Sequence, residues 1–318
     1  MSTKSTNYTI PAAASPAHEI VSTRVIPYAR SHVFAAWTHP GLHAQWWGPE
    51  GFTNTFHTYD VRPGGDWRFV MHGPDGTNYD NESVFDHVVA GECTVFRHVG
   101  QPEFTAVVHF TDDGDGTRIE WHMIFATAEI CAALTKMVES KNEENFDRLE
   151  AVLRDNPVDS MTSRELVVLR EIEAPPEVVY RVMTTRTGEW WCPRPWTTPV
   201  VEWELRAGGR SHMVMRGPDG EEHDIEGVFL EVTENERIVF TDAYQHGWRP
   251  TAQPFMTGIF ELSPLPGGRT SYRACSRHWS AAKCAEHVAM GFHPGWGAVA
   301  DQLIEVVADE LKQSADTA

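Results

Sequence analysis

Apolar residues recur along this chain with two periods, and the order in which the periods appear is repeated once. Residues 165–170 form an apolar run that predicts a strand. Ala174-Pro175-Pro176-Glu177 then predicts the start of a short helix, because proline fits the first turn and Glu177 suits its electropositive end. In the first half Ser31 is the expected N-cap before His32-Val33-Phe34. A second short helix is expected to end at each tryptophan pair, Trp46-Trp47 and Trp190-Trp191. Period two follows: Trp67, Phe69 and Met71 alternate with Arg68, Val70 and His72, as on a strand with one apolar face. Gly73-Pro74-Asp75-Gly76 is a turn in which Pro presets φ and Gly accepts a positive one. Residues 112–116 predict a hairpin, beyond which Ile119, Trp121, Met123 and Phe125 share a face opposite Glu120 and His122. Period 3.6 closes each half, with Ile130, Leu134, Met137, Phe146, Leu149 and Leu153 in one and Val299, Leu303, Val306 and Val307 in the other. Strand, two short helices, a meander of strands and a long helix make an α+β domain, a curved antiparallel sheet with the last helix across it.

The halves align without a gap from the tryptophan pairs to Val95-Phe96 and Val239-Phe240. Arg62-Pro63-Gly64-Gly65 matches Arg206-Ala207-Gly208-Gly209, and residues 70–76 match 214–220 around a shared Gly-Pro-Asp-Gly. Val84-Phe85 and Val95-Phe96 match Val228-Phe229 and Val239-Phe240. Chance does not supply such a register over that length, so the chain is a tandem duplication. The expected organisation is a flexible tail at 1–17, one domain at 18–156, a polar, Pro-containing linker at 157–162 and a second domain at 163–312.

Composition narrows the function classes. Each half is long enough to bury about two-thirds of its unfolded surface, so neither needs a disulfide or a metal merely to fold. The five cysteines are odd in number and scattered, which suits a reducing cytoplasm. The net charge of −19 argues against nucleic acid and anionic membranes as partners. No apolar stretch reaches the ~20 residues of a membrane-spanning helix. A small apolar molecule is the expected partner; a protein partner has nothing specific in its favour.

Taken together, the paired tryptophans, the Arg-x-Gly-Gly turn, the Met-x-Gly-Pro-Asp-Gly run and His293-Pro294-Gly295-Trp296 resemble the activator of heat-shock-protein-90 ATPase homologue family of START-like (SRPBCC, helix-grip) proteins. The resemblance implies a seven-stranded antiparallel sheet gripping the C-terminal helix, often with an apolar cavity between them. The second copy is nearer the family pattern: it has Gly227 where the first has Ser83, and Gly295-Trp296 where the first reads Glu144-Asn145-Phe146.

The candidate ligand-binding residues are Trp47, Trp67, Phe69, Met71, Trp121 and Met123 in the first copy. In the second they are Trp191, Met213, Met215, Tyr272 and Trp296. Aromatic rings can stack on a flat ligand, and methionine adapts to its shape. The same residues could equally fill two cores, and sequence leaves both outcomes open. Glu82, Glu226, Asp80 and Asp224 occupy matching positions and are weak catalytic candidates. A carboxyl inside an apolar cavity would have a raised pKa, although an outward strand position is the commoner fate. Arg62 and Arg206 could hold a ligand carboxylate or a turn. His109 and His122 flank a hairpin, yet no helical metal-binding spacing appears, and no metal or cofactor is expected. Binding of a small, largely apolar molecule, with aromatic ligands included, is the leading reading. Acid–base catalysis of the cyclase, hydratase or lyase type comes second, and a protein-interaction or co-chaperone role third.

Overall fold

A computed structural model describes residues 16–157 and 164–316. The expected tail and linker lie outside the described residues except at positions 16, 17 and 157. The chain divides between Ser163 and Arg164 into two compact units.

Unit 1 opens with a 3-10 turn (Pro16–His18), strand β1 (Glu19–Ile26) and helices α1 (Arg30–Thr38) and α2 (Pro40–Trp46). The meander comprises β2 (Thr53–Tyr59), β3 (Asp66–His72), β4 (Asn78–Val89), β5 (Cys93–His98), β6 (Phe104–Asp113) and β7 (Gly116–Phe125), and α3 (Ala128–Asp155) closes the unit. All neighbours pair antiparallel in the order β1-β7-β6-β5-β4-β3-β2.

Unit 2 repeats the plan with β8 (Glu165–Ile172), α4 (Pro176–Thr185), α5 (Thr187–Trp190), β9 (Thr197–Trp203), β10 (Arg210–Arg216), β11 (Glu222–Thr233) and β12 (Arg237–Thr241). A small hairpin, β13 (Tyr244–Gln245) and β14 (Arg249–Pro250), precedes β15 (Met256–Leu265) and β16 (Arg269–His278). Helices α6 (Ala281–Ala289) and α7 (Phe292–Asp316) complete it. Its sheet order is β8-β16-β15-β12-β11-β10-β9. Strands β6 and β15 show the same succession of buried and exposed positions. A bulge breaks the register at Phe85/His87 and again at Phe229/Glu231. Bulges at matched places bend both sheets alike and so shape the groove that receives the last helix.

The Gly-Gly turn recurs for a steric reason. A Cβ on Gly65 would lie 2.1 Å from the Asp60 carbonyl oxygen, and one on Gly209 would lie 1.9 Å from that of Glu204. The close approach lets Phe85 and Phe229 bond the turn through both backbone groups. Arg62 donates to Asp60 at 2.7 Å and Arg206 to Glu204 at 2.6 Å. Both arginines therefore brace turns.

Two local expectations are corrected. Helix α1 begins before Ser31, and its N-cap, Ala29, offers no side-chain acceptor. The first turns of α3 leave Ile130 and Met137 exposed, at 36% and 55%. They turn Cys131, Val138, Asn142 and Asn145 inward instead. Counting apolar residues missed this face because two of its members are asparagines; Asn142 is satisfied there by Ser22 Oγ at 3.0 Å. The last helix also differs between the units. Helix α3 is unbroken, whereas Gly291, at φ 93°, ends α6 and separates it from α7.

Candidate functional site

In each unit the loop after the tryptophan pair is held by the closing helix. Arg148 of α3 donates to the carbonyls of Gln45, Gly48, Pro49 and Phe52, at 2.5–2.9 Å. Gln302 of α7 donates to the carbonyls of Trp190 and Cys192 at 2.8 and 2.9 Å and accepts from the Arg194 N–H at 2.9 Å. Cys192 sits at φ 56°, a conformation uncommon outside glycine, and Gln302 helps to hold it. The first tryptophan of each pair, Trp46 or Trp190, is fully buried and seals the short helices. The second turns toward the space between sheet and helix.

That space differs in the two units. In unit 1, Trp47 stacks on Trp121 with ring centres 5.3 Å apart and meets Trp67 at 5.0 Å. Trp67 in turn stacks on Phe69 at 4.7 Å, and all four rings are buried. Aligned residue for residue, Ser211 stands at the place of Trp67. The matched ends of β7 and β16 put Ala274 at the place of Trp121. The buried stripe Leu149, Val152 and Leu153 matches Leu303, Val306 and Val307 in spacing and burial, which aligns Ala300 with Phe146 and Trp296 with Asn142. Three large rings are thus exchanged for small side chains, and only one returns.

The result in unit 2 is a cavity of about 500 Å³ between the sheet and the closing helices. This lies within the usual range for small-molecule sites, about 300–1,000 Å³. Strands β10 and β11 supply Ser211, Met213, Met215 and Ile225, and Gly227 lies flat beside them. A Cβ on Gly227 would meet the Thr241 carbonyl oxygen at 2.4 Å, so only glycine lets β11 pass so close. Trp191, Trp296 and Val299 form the opposite wall, with Trp191 edge-on to Trp296 at 5.7 Å. Phe240 and Phe255 close one side, and Met290, 68% exposed, marks the mouth.

Polar groups gather at one end. Asp242 accepts from the N–H groups of Phe255 and Met256, at 2.7 and 3.1 Å, and so ties down the loop before β15. Burial pushes its carboxyl pKa upward, against the pull of those bonds. His287 of α6 lies with its Nδ1 2.9 Å from His278 Nε2, and His278 Nδ1 is 3.0 Å from the Arg164 carbonyl oxygen. Burial lowers both pKa values, and the neighbouring His278 and His293 help to bring His287 down to about 4. Both rings are therefore neutral at pH 7.

The sequence pattern of the family described as "Activator of Hsp90 ATPase homolog 1-like protein" matches residues 27–154 and again 173–308. The chain belongs to that family, twice over. Among solved structures, a Nitrosomonas europaea protein is 35% identical, covering 47% of this chain and 97% of its own, with a TM-score of 0.45. An Arthrobacter aurescens protein is 24% identical over 46% of this chain and 90% of its own, at 0.41. The di-domain ARO/CYC BexL of the BE-7585A biosynthetic pathway is 14% identical, covering 92% of this chain and 97% of its own, at 0.35. A search of curated proteins found no match.

Within these two AHSA1-like units, the sequence candidates separate. Trp191, Met213, Met215 and Trp296 line the unit-2 cavity. Tyr272 does not: it is buried in the core and stacks on Phe260 at 6.1 Å. Trp47, Trp67, Phe69, Trp121 and Met123 are buried in the core of unit 1, with half-buried Met71 beneath Gly48. The four carboxylates sit on strand positions that alternate with the inward ones. Asp80 and Glu82 are exposed, paired in register with Val70 and Arg68 rather than with the aromatic face. Glu226 faces Arg210 at 3.6 Å, and Asp224 faces His212 at 2.9 Å. Although β11 borders the cavity at 224 and 226, those side chains leave it on the other face. His122 bonds Glu19 and Glu120 through its two nitrogens, at 2.7 and 2.8 Å, with the His109 ring 6.2 Å away. Among the described residues there is no cluster of three or more metal-ligating side chains, and no helix is long and apolar enough to cross a membrane.

Sequence reasoning missed Phe240, Phe255, Asp242 and His287. Phe255 and Asp242 bound a connection of fourteen residues (242–255) where unit 1 has five (99–103), so the length difference between copies was an available signal. His287 had none, because only the break at Gly291 sets the end of α6 over the groove.

Proposed function

We propose that unit 2 binds a small, largely apolar molecule, aromatic in part, in the cavity between its sheet and closing helices. The observation that carries this reading is the cavity of about 500 Å³, walled by Trp191, Trp296, Phe240, Phe255 and four methionines. Aromatic walls favour stacked or edge-on rings, and methionine accommodates varied shapes. Unit 1, whose equivalent volume is filled by its own tryptophans, serves as the packed partner copy. The protein-interaction reading expected two filled cores, which unit 2 does not offer. Five unpaired, buried cysteines and the acidic charge support a cytoplasmic setting away from nucleic acid and membranes.

Catalysis on the same ligand has two observations in its favour, His287 in the cavity wall and Asp242 with a carboxyl pKa raised by burial. With its pKa near 4 His287 is a feeble base at neutral pH, and Asp242 is committed to its loop. Binding is therefore the stronger reading.

Native mass spectrometry of freshly purified protein tests it, followed by titration with naphthalene-type probes. One small molecule per chain, released on denaturation, or saturable binding of one probe, is the expected result. An apo mass together with no binding of any such probe overturns the reading.

A further inference from the structure

The hydrogen bonds of the two buried histidines fix where their protons are. The Arg164 carbonyl can only accept, so His278 carries its proton on Nδ1. Its Nε2 is then a lone pair, and the neighbour at 2.9 Å, His287 Nδ1, must be the donor. Ser276 fits the same assignment: its hydroxyl donates to Met256 Sδ at 3.0 Å, while its oxygen stands 3.4 Å from His287 Nδ1. The remaining nitrogen, His287 Nε2, is left as a bare acceptor with no protein partner among the described residues. The ring around it is more than nine-tenths buried, packed against Phe255 at 4.9 Å and Phe292 at 5.0 Å, and it lines the cavity.

From this we infer that the unit-2 cavity selects aromatic ligands bearing a hydroxyl or N–H group, which donates to His287 Nε2, with His278 acting as the residue that sets the tautomer. The inference rests on the binding reading and narrows it to a chemical class. An acceptor in an apolar cavity wall discriminates because a ligand without a donor displaces water from it and leaves it unpaired. Its low basicity keeps it an acceptor across the neutral range, so it does not turn into a second donor. At that end Asp242 already accepts from two backbone N–H groups and Thr241 Oγ1 from the Ala243 N–H at 3.2 Å, whereas His287 Nε2 has no protein partner among the described residues.

The test is a matched pair of probes, 2-naphthol and 2-methoxynaphthalene, titrated into the full chain by calorimetry. They share a ring system and differ in whether the oxygen carries a proton. The wild-type protein is expected to prefer 2-naphthol by roughly five- to ten-fold. His287→Phe is expected to erase the ratio while still binding both probes, and His278→Phe to shrink it by freeing the tautomer. A ratio compares two ligands in one variant, so general damage to packing cancels. Equal affinities in the wild type, or an unchanged ratio in His287→Phe, overturn the inference and leave the binding reading standing. Failure of both probes to bind overturns the inference, and together with an apo mass it overturns the binding reading as well. Should His287→Phe not fold, the nitrogen-15 resonance of His287 Nε2 in the wild-type chain decides: it is expected to move with 2-naphthol and not with 2-methoxynaphthalene, and no movement with bound 2-naphthol overturns the inference.

Discussion

Ser211 occupies in unit 2 the strand position that Trp67 occupies in unit 1, and this exchange of an indole for a hydroxymethyl group separates a cavity from a core. Ser211 lines the cavity, whereas Trp67 is fully buried among Trp47, Phe69 and Phe96. Ser211→Trp is expected to fill unit 2 and abolish probe binding without loss of fold, read by calorimetry and thermal melting.

The reverse change has the opposite sign. Trp121→Ala in unit 1 should open a cavity and cost about 3–5 kcal/mol, as large-to-small core changes do. Denaturant titration gives the cost. Probe stoichiometry should rise from one site per chain toward two if the new space stays open.

Gln302 holds the loop that carries Trp191. Gln302→Leu removes three hydrogen bonds and leaves the carbonyls of Trp190 and Cys192 to find water. A loss of about 2–3 kcal/mol is expected, with weaker probe binding because Trp191 is no longer fixed. Denaturant midpoints and calorimetry of this variant check both parts.

The buried imidazoles make unit 2 sensitive to acid. The pKa of His287 is lowered to about 4 from 6.5, so the unfolded chain takes up a proton between those values that the folded chain refuses. Stability is therefore present above pH 6.5 and declines as pH falls toward 4, by on the order of 3 kcal/mol for this group. The pH dependence of the urea midpoint should flatten in His287→Phe.

Glu82→Gln and Glu226→Gln should leave probe affinity unchanged and shift stability by less than about 0.5 kcal/mol. Glu226 lies on the sheet face away from the cavity, where its Arg210 contact is solvent-screened, and Glu82 is exposed on the unit-1 sheet opposite Arg68. A marked loss of affinity in either would place a carboxylate inside the site.

Much of the fold was legible because its signals are local or repeated. The alternation at Trp67, Phe69 and Met71 gave a strand, the Gly-Gly turns gave its corner, and the internal match gave two copies of one domain. The candidate site was legible only in part. Trp191, Met213, Met215 and Trp296 could be named from their apolar character, but Tyr272 carries the same character and lies in the core. The carboxylates at 80, 82, 224 and 226 matched between copies, yet a matched position says nothing about which face of the sheet it occupies.

What the sequence determined by itself was the architecture, since hydrophobic period, turn chemistry and duplication are properties of residues near one another along the chain. Whether the space under the helix is empty was decided in three dimensions. That space is a difference between volumes contributed by strands and helices far apart in sequence: Trp67, Trp121 and Phe146 on one side of the comparison, and Ser211, Ala274 and Ala300 on the other. The proton positions on His278 and His287 were likewise decided only there, because a tautomer is fixed by the partner a ring meets, and here that chain begins at the carbonyl of Arg164, more than a hundred residues away.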